Sequence, residues 1–236
     1  MKKYILMVCI LQISLSGCQD DNEQLLEKEF LGNYTYTPED YYRTYDGIAD
    51  SLRSDLLIDD FTDNNNNWYV TSGQQGDNYC FIQGGNLVFG SNITNSYLNS
   101  LSLQINTSLD FEIEASMKIS RSSETNYNGV IWGGDFSAGV DFYTMMFNAS
   151  QNSWLGYTEG GNYVPWQDFT TGNVNGIFNE NLFTVRKVDD TYYFFINKVF
   201  IKSETFLPFF GNQIGFKVGA HNEIQVDYLK VYYLDL

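Results

Sequence analysis

Between residues 181 and 203 hydrophobic and polar positions alternate with a period of two, and turn residues punctuate the pattern. Leu182, Thr184 and Arg186 interleave with Phe183, Val185 and Lys187. Asp189-Asp190 interrupts, Thr191 to Ile196 resumes as a β-branched and aromatic run, and Asn197-Lys198 turns the chain into Val199 to Ile201. Consecutive antiparallel strands follow from that pattern. The same rhythm predicts strands over residues 56–61, 68–72, 78–83, 86–90, 96–102, 110–120, 128–133, 142–148, 153–157, 182–187, 191–196, 199–202, 213–218 and 223–234. Gly84-Gly85 marks one tight turn, and residues 63–67, Asp followed by four Asn, read as a polar loop. No stretch between the strands reaches helix length with a 3.6-residue period, so the pattern is that of an antiparallel sandwich rather than of βαβ units. Strand-interior positions nominate a core of Phe81, Leu87, Phe111, Ile113, Ile131, Phe194, Ile196, Ile214, Phe216 and Val226.

One segment departs from this rhythm towards a helix. Thr37-Pro38-Glu39-Asp40 combines a capping hydroxyl, a proline at the first helical position and acids in the first turn. Tyr41, Tyr45, Ile48 and Leu52 recur at helical spacing, predicting a short amphipathic helix over residues 38–53 whose tyrosine stripe packs on the sandwich. A second departure, residues 154–178, holds Gly160-Gly161, Pro165, Gly172 and Gly176 and reads as a long segment without strands of its own. Segments of that length are uncommon in a compact domain unless they carry function.

Composition agrees with the pattern. The 236 residues include 18 Tyr, 18 Phe and only 3 Pro, which favours strands over helices and supplies a sizeable core. Acidic residues outnumber basic ones 29 to 13, for a net charge of −16. Such a field repels nucleic-acid phosphate, and a DNA or RNA partner is excluded on that ground; the bland reading is an acidic surface that keeps the protein soluble.

The amino terminus reads as an address. Lys2 and Lys3 precede an apolar run from Tyr4 to Ile13, too short to span a membrane, and small residues then lead to Cys18. Leu15-Ser16-Gly17-Cys18 resembles the bacterial lipobox, which implies lipidation of Cys18 and removal of residues 1–17. Loss of both lysines would leave 11 basic against 29 acidic residues, a net −18. Gln19-Asp20-Asp21-Asn22-Glu23 resembles the acidic tag of surface-exposed Bacteroidetes lipoproteins, which implies an outer-membrane, cell-surface location. The chain then divides into a lipoprotein signal peptide (1–17), a tether with the short helix (18–54) and the sandwich (55–236). Cys80 alone remains in the folded part, so no intramolecular disulfide forms, and its strand setting makes it a small hydrophobe.

The ordered blocks LLIDDFTDNNNNWYV, GGNLVFGSN, DFEIEASMKIS, NGVIWGGD, NLFTVRKVDDTYYFFINKVFI and NQIGFKVGAHNEIQVDYLKVYYL resemble the concanavalin A-like lectin/glucanase jelly rolls, in particular bacterial domains of the 3-keto-disaccharide hydrolase or glycoside hydrolase family 16-like kind. The resemblance implies a two-sheet antiparallel jelly roll in which the first and last strands pair, setting residues 56–61 beside 226–233.

Family 16 glucanases align their carboxylates in an E-x-D-x-x-E strand. Here the string is Glu112-Ile113-Glu114-Ala115-Ser116-Met117, so the third position lacks its acid, and Glu112 and Glu114 are expected on the solvent face of their strand. One histidine, His221 in a turn, supports neither a Ser-His-Asp set nor a histidine metal cluster. Sugar binding requires flat rings to stack on pyranose faces and polar groups to bond hydroxyls. Trp132, Trp154, Tyr157, Tyr163 and Trp166 supply rings, and Asp168 is the foremost of several polar candidates with Asp135, Asp141, Glu159, Asn162 and Gln167. The competing reading is that these rings fill the core. Related jelly rolls hold structural calcium near their terminal strands, which brings in Asp60 and Asp227 as oxygen ligands, against a reading as solvated strand-end acids. No cofactor is otherwise required. Three functions remain open on these residues: a non-catalytic glycan-binding lipoprotein, a glycosidase-like hydrolase with an unrecognised site, and a structural or adhesion component of a surface assembly.

Overall fold

A computed structural model describes residues 37–122, 126–137 and 139–236, so the signal, Cys18 and the acidic tag lie outside the described residues. The chain resolves into two units, Met1–Thr37 and Pro38–Leu236, and everything below concerns the second.

That unit is a jelly-roll sandwich of two antiparallel sheets, fourteen strands among the described residues. They are β1 (Arg53–Asp59), β2 (Asn78–Ile82), β3 (Leu87–Ser91), β4 (Tyr97–Ser102), β5 (Phe111–Arg121), β6 (Asn128–Asp135), β7 (Asp141–Phe147), β8 (Asn152–Glu159), β9 (Asn162–Thr171), β10 (Asn181–Val188), β11 (Thr191–Ile196), β12 (Val199–Thr205), β13 (Gln213–Val218) and β14 (Glu223–Leu234). The first sheet runs β12-β11-β10-β5-β14-β3-β2, and the second β4-β13-β6-β7-β8-β9. The twelve-residue β14 is long enough to hold β3 along Glu223 to Val226 and, further on, the first strand β1, with Leu57 opposite Val231 and Asp59 opposite Leu229. The predicted pairing of terminal strands is therefore present.

Period-two alternation places one face of each sheet in a shared core. Phe111, Ile113, Ala115 and Met117 of β5 meet Val130 and Trp132 of β6, Tyr143, Met145 and Phe147 of β7, and Ile214, Phe216 and Val218 of β13. The expected core residues are buried except Phe81, which is half-buried because β2 is the edge of its sheet. The turns follow the residues that permit them. Gly84 and Gly85 have φ of 60° and 73°, and Asn197 and Lys198 of 52° and 68°, so both two-residue hairpin loops use the left-handed conformation that matches strand twist. Cys80 is fully buried with Asn99 Nδ2 at 2.9 Å from Sγ, and burial pushes its thiol up to about 12, so it is no nucleophile.

Three expectations change. The helix over 38–53 is a single short helix α1 (Pro38–Tyr42) followed by 3-10 turns at Tyr45–Gly47 and Asp50–Leu52. Its continuation is broken where the carbonyls of Tyr42, Thr44 and Tyr45 accept hydrogen bonds from the Arg186 guanidinium at 3.0, 2.9 and 2.8 Å, the Thr44 carbonyl also accepting the Gly47 amide of the first 3-10 turn. Of the predicted stripe Tyr45, Ile48 and Leu52 do pack on the sandwich, joined by Tyr42 over Val188, Tyr193, Phe195 and Leu234 on the outer face of the first sheet, whereas Tyr41 is 43% exposed. Residues 68–72 form no strand, although the Thr71 amide bonds the Cys80 carbonyl and Trp68 is a core residue whose Nε1 donates to Asp59 at 2.7 Å. Finally, residues 154–178 are not structureless: β8 continues to Glu159, turns through Gly160-Gly161 and returns as β9. The alternation of β9 is masked by Pro165 and by register shifts against β8 between Ser153 and Gly156. A proline is tolerated there because β9 is an edge strand with no further ladder to donate to.

Candidate functional site

The second sheet sorts the predicted rings onto two faces. Trp132, Tyr157 and Trp166 turn inward. Trp132 is fully buried and stacks on Tyr143 at 6.0 Å between ring centroids. Trp166 lies parallel to Tyr143 (5.5 Å, 15°) and beside Tyr157, Tyr192 and Phe194, closing the sandwich next to β9. For these three the core-filling reading describes their surroundings.

Trp154 and Tyr163 point the other way. Register aligns Lys217, Gly129, Met146 and Trp154 in one row across the adjacent strands β13, β6, β7 and β8. Their neighbours Phe216, Val218, Val130, Met145 and Leu155 belong to the core, so this row faces outward. Trp154 lies along its strand above Gly156, where an added Cβ would stand 2.8 Å from the Trp154 Cη2 and 2.2 Å from the Val164 carbonyl oxygen. Only glycine lets the indole lie flat and β9 come this close. Tyr163 meets Trp154 edge-on at 5.3 Å, with 49% of its surface exposed. From the far side Lys217 reaches over β6 and brings its ammonium 3.8 Å from Met146 Sδ and 5.6 Å from the Tyr163 ring centre. Thr144 and Thr158 are outward hydroxyls of the same sheet, already donating to the carbonyls of Val130 and Val140. Asp168 is exposed on β9, and its charge, after burial, contributes to raising the Tyr127 hydroxyl pKa, which brings these two groups into one neighbourhood.

The other polar candidates are spoken for locally. Asp135 accepts from the Ser137 amide and hydroxyl at 2.8 and 2.6 Å, which holds its carboxyl below the usual range. Asp141 accepts the Gly160 amide at 2.8 Å and Gln167 donates to Thr170 at 2.8 Å, while Glu159 and Asn162 are exposed beside the β8–β9 turn. A cavity of about 690 Å³ lies between the end of β6 and the start of β13, lined by Gln104, Asp135, Phe136, Phe209, Asn212 and Gln213 among others.

Asp60 accepts the amide and hydroxyl of Thr62 at 3.1 and 2.8 Å, and Asp227 is exposed on β14. Among the described residues no three His, Cys, Asp or Glu side chains come together as a metal-holding group at either acid.

Glu112 and Glu114 do not lie on a solvent face. Both are on the outer face of the first sheet but are 1% and 8% exposed, covered by residues 38–52. Glu112 accepts from Arg186 Nε at 2.7 Å and pairs with Arg53 at 3.1 Å, and Glu114 accepts the hydroxyls of Tyr45 and Tyr228. Burial, and then the bond to Glu114, push both tyrosine hydroxyls far above their ordinary range. The strand alternation that puts two carboxylates on one face is present, but each is neutralised by fixed donors, the geometry of a structural clamp.

No protein-family profile matches the chain, and no curated protein matches it in sequence. Solved structures do. The carbohydrate-binding module CBM66 of Bacillus subtilis superposes with a TM-score of 0.54 at 13% identity, over 70% of this chain and 94% of that one. The likeness is one of fold. A Bacillus licheniformis β-glucanase (TM-score 0.54, 8% identity, 77% and 98% covered) and a Bacillus subtilis protein of unknown function with a galectin-like fold (0.54, 9%, 78% and 100%) are similar to the same extent. The sandwich thus shares the two-sheet jelly-roll fold of these structures.

Lys217 and Arg186 are the two residues that sequence reasoning passed over. Both sit at outward positions of apolar strands, where a charge reads as solvated. Their burial comes from elements distant in sequence, Met146 and Tyr163 for one and residues 42–45 for the other.

Proposed function

We propose that this protein is a cell-surface lipoprotein whose sandwich binds a glycan without cleaving it. The observation that carries the reading is the half-exposed Tyr163 ring, backed edge-on by the buried Trp154 indole and with Lys217 beside it: a ring face for a pyranose and a donor for its oxygens on one sheet face. Fold likeness to a carbohydrate-binding module supports the same class of ligand. The absence of turnover is supported by Glu112 and Glu114, the nearest counterpart of a glucanase carboxylate set, being held in ion pairs and tyrosine bonds beneath residues 38–52.

The test is a glycan array probed with the chain lacking residues 1–18, followed by Tyr163→Ala. Tyr163 is exposed enough that its removal is expected to shift stability by no more than about 0.5 kcal/mol, while glycan retention weakens by about 1–3 kcal/mol as for other aromatic anchors. Retention unchanged in Tyr163→Ala would remove this face as the site, and release of reducing ends from a bound oligosaccharide would convert the reading to a hydrolase. The surface location rests on Leu15-Ser16-Gly17-Cys18 and the acidic residues after it. Cys18→Ala is expected to abolish membrane fractionation and fatty-acid labelling; label still incorporated in that variant would refute the anchor.

A further inference from the structure

Three cationic side chains are buried among the described residues: Arg186, Lys187 and Lys217. Arg186 is paired with Glu112, and Lys187 with Asp110 at 3.2 Å. Lys217, 8% exposed, has no carboxylate partner among the described residues; its ammonium is met by a thioether sulfur and by the Tyr163 ring. Lysine is almost never buried unless paired, because leaving water is costly for an ammonium and a thioether returns little of that hydration. The sheet positions it nonetheless. The row passes through Gly129 on β6 to Met146, and the indole of Trp154 lies next in it. Tyr163, which covers the ammonium, is half exposed and stands next to the β8–β9 turn, so it can swing from the cation onto an incoming ring.

We propose that the ligand of this face is an acidic sugar, with a carboxylate or sulfate ester completing the ion pair left open at Lys217 among the described residues while its pyranose ring stacks on Tyr163. The proposal rests on the glycan-binding reading above and adds the charge of the ligand. The net charge of −16 repels polyanions at long range, so affinity for an acidic glycan has to come from a local cation such as this one rather than from general attraction.

The experiment uses the full-length protein in detergent and a panel of uronate oligosaccharides, their methyl esters, and sulfated galactans. Uronates or sulfated galactans are expected to bind at least tenfold more tightly than the methyl esters, and the comparison of the two arms identifies the anion. Lys217→Met, which keeps the length of the side chain, is expected to remove that tenfold preference and leave methyl-ester binding as it was. Lys217→Arg is expected to restore the preference, which a purely structural lysine would not do. Methyl esters binding as tightly as free acids, or an acid preference untouched in both variants, overturns the proposal. Neutral glycans bound with acidic ones rejected sinks the anionic ligand alone; no glycan of either kind bound sinks the glycan-binding reading with it.

Discussion

Arg186→Met is expected to lower the unfolding free energy by about 3–5 kcal/mol, the range for breaking a buried ion pair by removing one partner. The guanidinium is fully buried, donates to Glu112 at 2.7 Å and to three backbone carbonyls at 2.8–3.0 Å, and lies 5.0 Å over the Phe195 ring. Methionine fills much of the space but takes the Arg186 donor from the carbonyls of Tyr42 and Tyr45 and from half of Glu112, while the Thr44 carbonyl keeps the Gly47 amide; a buried acceptor without a donor costs about 1–3 kcal/mol. Arg53 still faces Glu112 at 3.1 Å, so the loss belongs towards the lower end of the range. Urea unfolding with the slope held fixed measures it, and adding Glu112→Leu should recover part of the loss by removing the stranded charge. A change under about 1 kcal/mol would show that residues 38–52 are held by their apolar contacts alone. The same clamp explains why the compact unit begins at Pro38 rather than at the first strand. A chain cut just before Leu56 would expose Phe195, Tyr193 and Val188 and remove part of β1.

Trp166→Ala is the second large effect, about 3–5 kcal/mol of stability as for other large-to-small core aromatic changes. Its indole is stacked on Tyr143 and packed beside Tyr157, Tyr192 and Phe194, all contributors to one core, and its carbonyl accepts from Lys202. Removing it opens a cavity lined by rings that cannot close on it, because Tyr143 is itself pinned by a 2.9 Å bond from its hydroxyl to the Pro208 carbonyl. The midpoint of thermal unfolding should fall by several degrees or more. Tyr163→Ala, three positions from Trp166→Ala across Pro165, provides the contrast: little stability lost, glycan retention weakened. If Trp166→Ala melted normally and only retention failed, Trp166 would belong to a binding surface, and the inward packing described here would be wrong.

Much of the fold was legible because strand alternation is local. A side chain two residues on faces the same way, whatever the partner strand, so Phe111, Ile113, Phe194, Ile196, Ile214 and Phe216 were assigned to the core from their own spacing. Turns at Gly84-Gly85 and Asn197-Lys198 were legible because left-handed backbone admits few residue types. β9 escaped because a proline and shifted pairing erased its period, and the strand predicted at 68–72 failed because Trp68 is fixed by Asp59 across the loop rather than by a ladder.

Alternation by itself determines only that neighbouring residues face opposite ways; which of the two ways is the core is decided by what lies across the sheet. That is why Trp154 and Trp166, each with a single polar neighbour in sequence, parted, the first to the outer face and the second to the inner one. It is also why Glu112 and Glu114, assigned to water, are buried: their face is covered by residues nearly sixty or more positions earlier, which only the tertiary structure brings to it. The charge of a residue is written in the sequence, but the energy of that charge depends on solvent exclusion and on the nearest counter-ion, and both are properties of chain segments remote from it. Arg186 and Lys217 carry equal formal charges on outward strand positions. The fold supplies the first with a carboxylate and, among the described residues, leaves the second without one.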